Sequence, residues 1–308
     1  MKYNIEKIII GSRESKLARA HIEIFKKEFS EKVIESQKLT VESKFIKTSG
    51  DKFLDKNISE IGNKGLFTKE IDQEQINNDI HIGIHSLKDL PTKLLSGLEI
   101  LSVLKREDQR DALYSEKVSG LGKLKSDSVI GTSSIRRRNQ ILNLRPDLII
   151  KDIRGNVDTR IKKLQNGEFD AIILAISGLK RLGVNKNFYA IDTNFIVPAV
   201  GQGTIALVGN KKNKEINELI KKVNDEKTLI EVSCEREFLR ALDGSCKTPI
   251  GAYAEIKDFK RKDYISLIYY VSSIDGKNFV KNKRNINIKD YLSESYNLGE
   301  DVKRELKL

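Results

Sequence analysis

From the start of the chain to about residue 210, short β-branched runs alternate with segments whose apolar residues recur at helical spacing. This alternation constrains the fold more than any other feature, and it predicts an α/β architecture with mostly parallel sheets covered by helices. Strands are expected over 8–10, 41–46, 80–84, 98–104, 128–130, 148–150, 171–174 and 204–208. Helices are expected after Gly11-Ser12, where Leu17, Ala20, Ile24 and Phe25 share a face, and over 135–144, 157–164 and 176–182. Each begins just after a strand and a small or polar residue, so helix N-termini meet the carboxyl ends of strands, where α/β folds place their ligands. After about residue 210 the pattern changes. Lysine-rich helices near 214–223 and 228–242, strands near 250–256 and 265–271, and a helix from 288 onward read as a smaller α+β unit. The polar stretch 48–64 is longer than an ordinary connection and reads as a lid.

With 308 residues, 39% of them hydrophobic, the chain has room for two or three domains and enough apolar side chains to fill them. No window approaches the roughly 18 apolar residues of a membrane span, and the opening MKYNIEKIIIGSRESK lacks the apolar run of a signal peptide. A cytoplasmic protein with no membrane partner is expected. Two cysteines and three histidines supply neither a disulfide scaffold nor a zinc site, so no metal is expected. The net charge of +12 favours an anionic partner, although base composition would account for the lysine excess equally well. Nucleic acid fits poorly, because aromatics are 6% with no tryptophan and the basic residues are interleaved with acidic ones.

Candidate chemistry gathers in three places. Cys246 lies in Asp243-Gly244-Ser245-Cys246-Lys247-Thr248-Pro249, on a loop between a helix ended by Gly244 and a strand that starts after Pro249. Lys247 would favour its thiolate, the nucleophilic form, and an inert loop cysteine is the competing reading. Cys234 shares a helical face with Ile230, Phe238 and Leu242 and is expected in the core. Arginines form the second group. Arg13 follows the first strand, Arg136 and Arg137 follow Gly131-Thr132-Ser133-Ser134, Arg154 precedes Gly155-Asn156, and Arg160 and Arg181 lie on the next helices. Guanidiniums beside free backbone N–H groups at strand ends suit carboxylates or phosphates, and their repetition points to a polyanion. The third is His85-Ser86-Leu87-Lys88-Asp89 at the mouth of a strand. There Asp89 reads either as a surface ion-pair partner of Lys88 or as a carboxylate that stabilises a cationic intermediate.

Taken together, these motifs resemble the hydroxymethylbilane synthase (porphobilinogen deaminase) family. The likeness runs from Gly11-Ser12-Arg13-Glu14-Ser15-Lys16-Leu17-Ala18 through Gly65-Leu66-Phe67-Thr68-Lys69-Glu70, His85-Ser86-Leu87-Lys88-Asp89 and Arg106-Glu107-Asp108-Gln109-Arg110-Asp111. It continues through Gly131-Thr132-Ser133-Ser134-Ile135-Arg136-Arg137, Arg154-Gly155-Asn156, Gly178-Leu179-Lys180-Arg181 and Pro198-Ala199-Val200-Gly201-Gln202-Gly203 to Gly244-Ser245-Cys246. The resemblance implies two periplasmic-binding-protein-like (type II) α/β lobes and a C-terminal α+β domain, expected at 1–104 with 200–222, at 105–199 and at 223–308. It implies a monomeric enzyme that deaminates porphobilinogen and joins four molecules head to tail on a dipyrromethane cofactor held by a thioether to Cys246, before water releases the linear tetrapyrrole. Carried over residue by residue, Asp89 is catalytic and contacts pyrrole nitrogens. Lys88, Ser134, Arg136, Arg137 and Arg160 hold the cofactor. Arg13, Ser15, Arg154, Arg160 and Arg181 bind substrate carboxylates. Two positions depart from the family pattern, Asn63 where glycine is common and His81 where an acidic residue is usual. A two-lobed small-anion binding protein without catalysis would share the lobes and the arginines, but it would have no use for an oligopyrrole on Cys246.

Overall fold

The computed structural model describes residues 5–33, 39–52, 67–243, 249–257 and 263–307. Strand β1 (Lys7–Arg13) buries Ile8 and Ile10 on one side of a sheet. Ser15 then caps helix α1 (Lys16–Lys32), its side chain accepting from the Ala18 amide at 3.2 Å, a contact of the kind that contributes about 1 kcal/mol. Ile22, Phe25 and Phe29 recur at helical spacing on its buried face. Strand β2 (Thr40–Ile46), the short α2 (Ser49–Lys52), α3 (Lys69–Ile76), β3 (Ile82–Ser86) and β4 (Leu98–Val103) follow.

The chain then builds a second sheet from β5 (Asp111–Tyr114), β6 (Val129–Gly131), α4 (Ile135–Leu144), β7 (Ile149–Lys151), α5 (Val157–Gln165), β8 (Ala171–Ala175), α6 (Ile176–Arg181) and β9 (Phe188–Ala190). It returns through β10 (Ile205–Asn210) and α7 (Lys214–Lys221). The last elements are α8 (Glu226–Ala241), β11 (Ile250–Glu255), β12 (Tyr264–Ser272), β13 (Phe279–Asn287) and α9 (Tyr291–Leu306).

The two larger sheets share one topology. Their orders are β2-β1-β3-β10-β4 and β7-β6-β8-β5-β9, each with its first three strands parallel and one strand, β10 or β5, running antiparallel between its neighbours. Each lobe therefore takes a strand from chain that has just crossed over from the other. The third sheet, β11-β12-β13, is antiparallel. This is the expected fold class, two α/β lobes with a smaller α+β domain.

By contacts the chain divides into two compact units, 1–106 with 204–229 and 107–203 with 230–308. Phe25 and Phe29, with ring centroids 5.2 Å apart, anchor the core of the first with Ile8, Ile82 and Leu207. In the second, Phe238 of α8 packs on Tyr269 of β12 at 5.0 Å, and α9 lies against α8 through Gly299. A Cβ at Gly299 would stand 2.6 Å from that of Ala241, so the helices approach this closely only because the side chain is missing.

Helix α4 begins and ends where its pattern predicts, and most other elements fall within two residues of expectation. Five were not expected: α2, α3, β5, β9 and β13. The stretch 48–64 expected as a lid lies mostly outside the described residues. Its described start is α2, where the Ser49 amide donates to Glu70 Oε1 at 2.9 Å. Among the described residues no helix is long and apolar enough to cross a membrane.

Candidate functional site

In the first unit, β1 and β3 deliver their ends side by side, tied by the Ser12 hydroxyl donating to the Ile84 carbonyl at 2.9 Å. Arg13 leaves β1 with its guanidinium over the Phe67 ring, 4.3 Å from the centroid. A single 3₁₀ turn, Leu87–Asp89, follows β3 and carries Lys88 and Asp89, both half-buried. Arg13, Ser15, Phe67, His85 and Asp89 line a cavity of about 60 Å³. Burial pushes the His85 imidazole down to about 4, and the Arg13 charge acts in the same direction, so the ring is neutral at pH 7. Thus Arg13, Ser15 and Asp89 share one pocket, with Lys88 next in the turn. Phe67 belongs to a quoted motif, but its stacking on Arg13 has no signal in the sequence.

The second unit holds the larger cationic group. Ser134 caps α4, its hydroxyl accepting from the Arg137 amide at 3.4 Å, so Arg136 and Arg137 lie in the first helical turn. Both guanidiniums are buried and both reach Asp111 on β5. Arg136 Nη1 donates to Oδ2 at 2.8 Å, and Arg137 donates to Oδ1 from Nη2 at 2.6 Å and from Nε at 3.1 Å. Burial alone would raise the Asp111 carboxyl, but the two arginines outweigh it and hold the group well below the usual carboxylate range. The sequence places the arginines and misses Asp111, whose only signal is its place in the Arg106–Asp111 motif.

Arg154 follows β7, and Arg160 lies on α5 with Nε donating to the Gly155 carbonyl at 2.8 Å. Burial first, then the charges of Arg137 and Arg154, lower the Arg160 guanidinium to about 10. The charges of Arg137 and Arg154 thus both act on Arg160, which favours an anion placed beside it. Arg181 closes α6 and donates from Nη2 to the Gly203 carbonyl at 2.5 Å; burial lowers it to about 10, with Glu107 opposing.

Cys234 is in the core as expected, its sulfur 3.0 Å from the Ser295 hydroxyl and its thiol pushed up to about 12 by burial. Cys246 and Asn63 lie outside the described residues. His81 serves the fold, its Nδ1 accepting from the Ile9 amide at 3.0 Å, a bond that requires an unprotonated nitrogen. Burial lowers its basicity accordingly, helped by Lys7.

The structure thus defines a class, a two-lobed α/β protein with guanidiniums gathered at strand ends and an appended α+β domain. Two family models match the chain, "Porphobilinogen deaminase, dipyromethane cofactor binding domain" over residues 8–218 and "Porphobilinogen deaminase, C-terminal domain" over 229–307. The chain belongs to the porphobilinogen deaminase family. A porphobilinogen deaminase of a Nitratiruptor species is 43% identical over 280 residues, covering 90% of this chain and 87% of that one. The enzyme of Sulfurimonas denitrificans is 39% identical over 306 residues, covering 98% and 94%. Among solved structures, a TRAP periplasmic solute binding protein from Desulfovibrio salexigens superposes with a TM-score of 0.43 at 12% identity, covering 73% of this chain and 74% of that one.

Proposed function

We propose that this protein is a hydroxymethylbilane synthase, a transferase that deaminates four porphobilinogen molecules, condenses them head to tail and releases the linear tetrapyrrole. The observation that carries the reading is the cationic group of the second unit, in which Arg136 and Arg137 stand side by side on Asp111 and the charges of Arg137 and Arg154 act on the buried Arg160 guanidinium, so that entering carboxylates offset positive charge. Each porphobilinogen unit brings two carboxylates, so a growing chain gathers negative charge that fixed guanidiniums offset at every length.

The same donors fit a dipyrromethane cofactor, whose acetate and propionate groups match Ser134, Arg136, Arg137 and Arg160 in charge and hydrogen-bonding type; the family resemblance adds Lys88. When bound through a thioether to Cys246, this group supplies the free pyrrole carbon at which the first ring is added. Arg13, Ser15, Arg154 and Arg181 bind the carboxylates of substrate. Loss of ammonia from porphobilinogen leaves a positive charge spread onto its ring nitrogen, and Asp89 provides the carboxylate that stabilises it. The neutral His85 adds no cation beside it. Domains at 1–104 with 200–222, 105–199 and 223–308 divide these tasks, and the enzyme acts as a cytoplasmic monomer.

Intact-mass measurement of the purified protein tests the reading, with peptide mapping and a porphobilinogen-consumption assay alongside. An added dipyrromethane on the Cys246 peptide, lost together with activity in Cys246→Ser, is the expected result. The Cys234 peptide stays unmodified, since its thiol is buried and held protonated. An active enzyme with unmodified Cys246 would refute the assignment.

A further inference from the structure

Two runs of the sequence have no role in the reading above, Arg106–Asp111 and Pro198–Gly203, and in the structure they meet at one carboxylate. Asp111 is fully buried. Besides its three bonds from Arg136 and Arg137, its Oδ1 accepts from Gln202 Nε2 at 2.9 Å, and the same amide nitrogen donates to the Gln109 carbonyl at 2.7 Å. Gln202 therefore fixes the carboxylate, and the carboxylate fixes the arginines.

Backbone carbonyls complete the clamp. Arg136 Nη1 also donates to Val197 O at 2.6 Å, and Arg137 Nη1 donates to Ile173 O at 2.9 Å. Both hydrogens on Arg136 Nη1 are thus committed, while among the described residues no hydrogen-bond partner takes its Nε and Nη2 edge. Arg137 keeps one hydrogen on each terminal nitrogen. One carboxylate between two guanidiniums leaves the pair with a single net positive charge, enough to attract an anion and half of what two unpaired arginines would impose on a buried site.

We propose that Asp111, oriented by Gln202, is a positioning residue of the synthase reaction: it locks Arg136 and Arg137 into one rigid pair whose uncommitted N–H edges take the carboxylates of the oligopyrrole. Neither Asp111 nor Gln202 touches substrate. Preorganising the pair removes the ordering cost that two free arginine side chains would impose at each ring addition.

This inference rests on the synthase reading, and the test separates the two. Wild type, Asp111→Asn and Gln202→Ala are compared for KM and kcat with porphobilinogen, for melting temperature, and for the ladder of bound chain lengths seen by intact mass after a limiting pulse of substrate. If wild type neither consumes porphobilinogen nor forms a ladder, the synthase reading fails. Given an active wild type, Gln202→Ala, which leaves every charge in place, should raise KM about tenfold with kcat within about threefold and shift the ladder to shorter chains. Asp111→Asn should do so more severely. Should Asp111→Asn fail to fold, Gln202→Ala decides the matter. A folded Gln202→Ala with wild-type KM and ladder, or one whose only change is a lower melting temperature, would overturn the proposal.

Discussion

The crowding of Arg160 predicts a trade of stability for binding. Its guanidinium is lowered to about 10, well below the ordinary arginine range, so the folded protein disfavours the charged form by about 3 kcal/mol. The sign is set by the direction of the shift. A base whose folded value is lowered carries its penalty at every pH below about 10 and sheds it only as the group loses its proton above that. Arg160→Met keeps an unbranched apolar stem and removes the charged head. It also removes the hydrogen bond to the Gly155 carbonyl, worth roughly 1.5–2 kcal/mol for a charged donor. The balance is a gain of about 1 kcal/mol, or roughly 2–4 °C in melting temperature. The gain should show in a protein without cofactor, so the substitution is made in a Cys246→Ser background and followed by thermal unfolding. In the Cys246 parent the same change should impair ring addition, because bound carboxylates already offset the crowding. If Arg160→Met melts more than about 2 °C below its Cys246→Ser parent, the guanidinium is not strained and the reasoning fails.

Three further outcomes are expected. Asp89→Asn should fold and slow single-turnover ring addition about a hundred- to a thousandfold, with Asp89→Glu retaining more; a rate near wild type would make the carboxylate structural. His85 is held near 4 against an ordinary 6.5, so its contribution is complete above pH 6.5 and up to about 3 kcal/mol is lost as pH falls toward 4. Urea unfolding at pH 7 and 4.5 should show that loss in wild type and a smaller one in His85→Gln, the difference cancelling the opposite effect of Asp72, whose carboxyl burial pushes up to about 6. Gly203 has φ +93° and no room for a Cβ, which would stand 2.4 Å from the Glu107 carbonyl oxygen, so Gly203→Ala should cost about 2–3 kcal/mol in equilibrium unfolding.

What the sequence reveals depends on how local the cause is. Helix α4 is legible to the residue because Ser134 caps it and its apolar positions repeat within ten residues. Strand β13 is not, since it lies at the edge of its sheet and most of its side chains are polar and exposed, leaving no alternation to read. The four-residue β5 is too short for a pattern, and its pairing with β8 joins residues about sixty positions apart. The same limit governs the sites. Arginines at strand ends announce themselves through Gly131-Thr132-Ser133-Ser134, but the partner that fixes two of them stands on β5, and nothing near Asp111 in sequence says so.

The exchanged strands set the order in which the protein can be made. On the ribosome, β3 and β4 emerge with the position between them unfilled, and the strand that fills it, β10, follows only about a hundred residues later. At roughly 5–20 residues per second the first sheet carries two unsatisfied inner edges for about 5–20 s while the whole second sheet is synthesised. The second sheet has no such wait, because β5 leaves the ribosome before the strands that flank it. The lobe that begins the chain is therefore the later of the two to close, and during that interval its open edges are the nascent protein's most exposed sites for chaperone binding or for pairing with another chain.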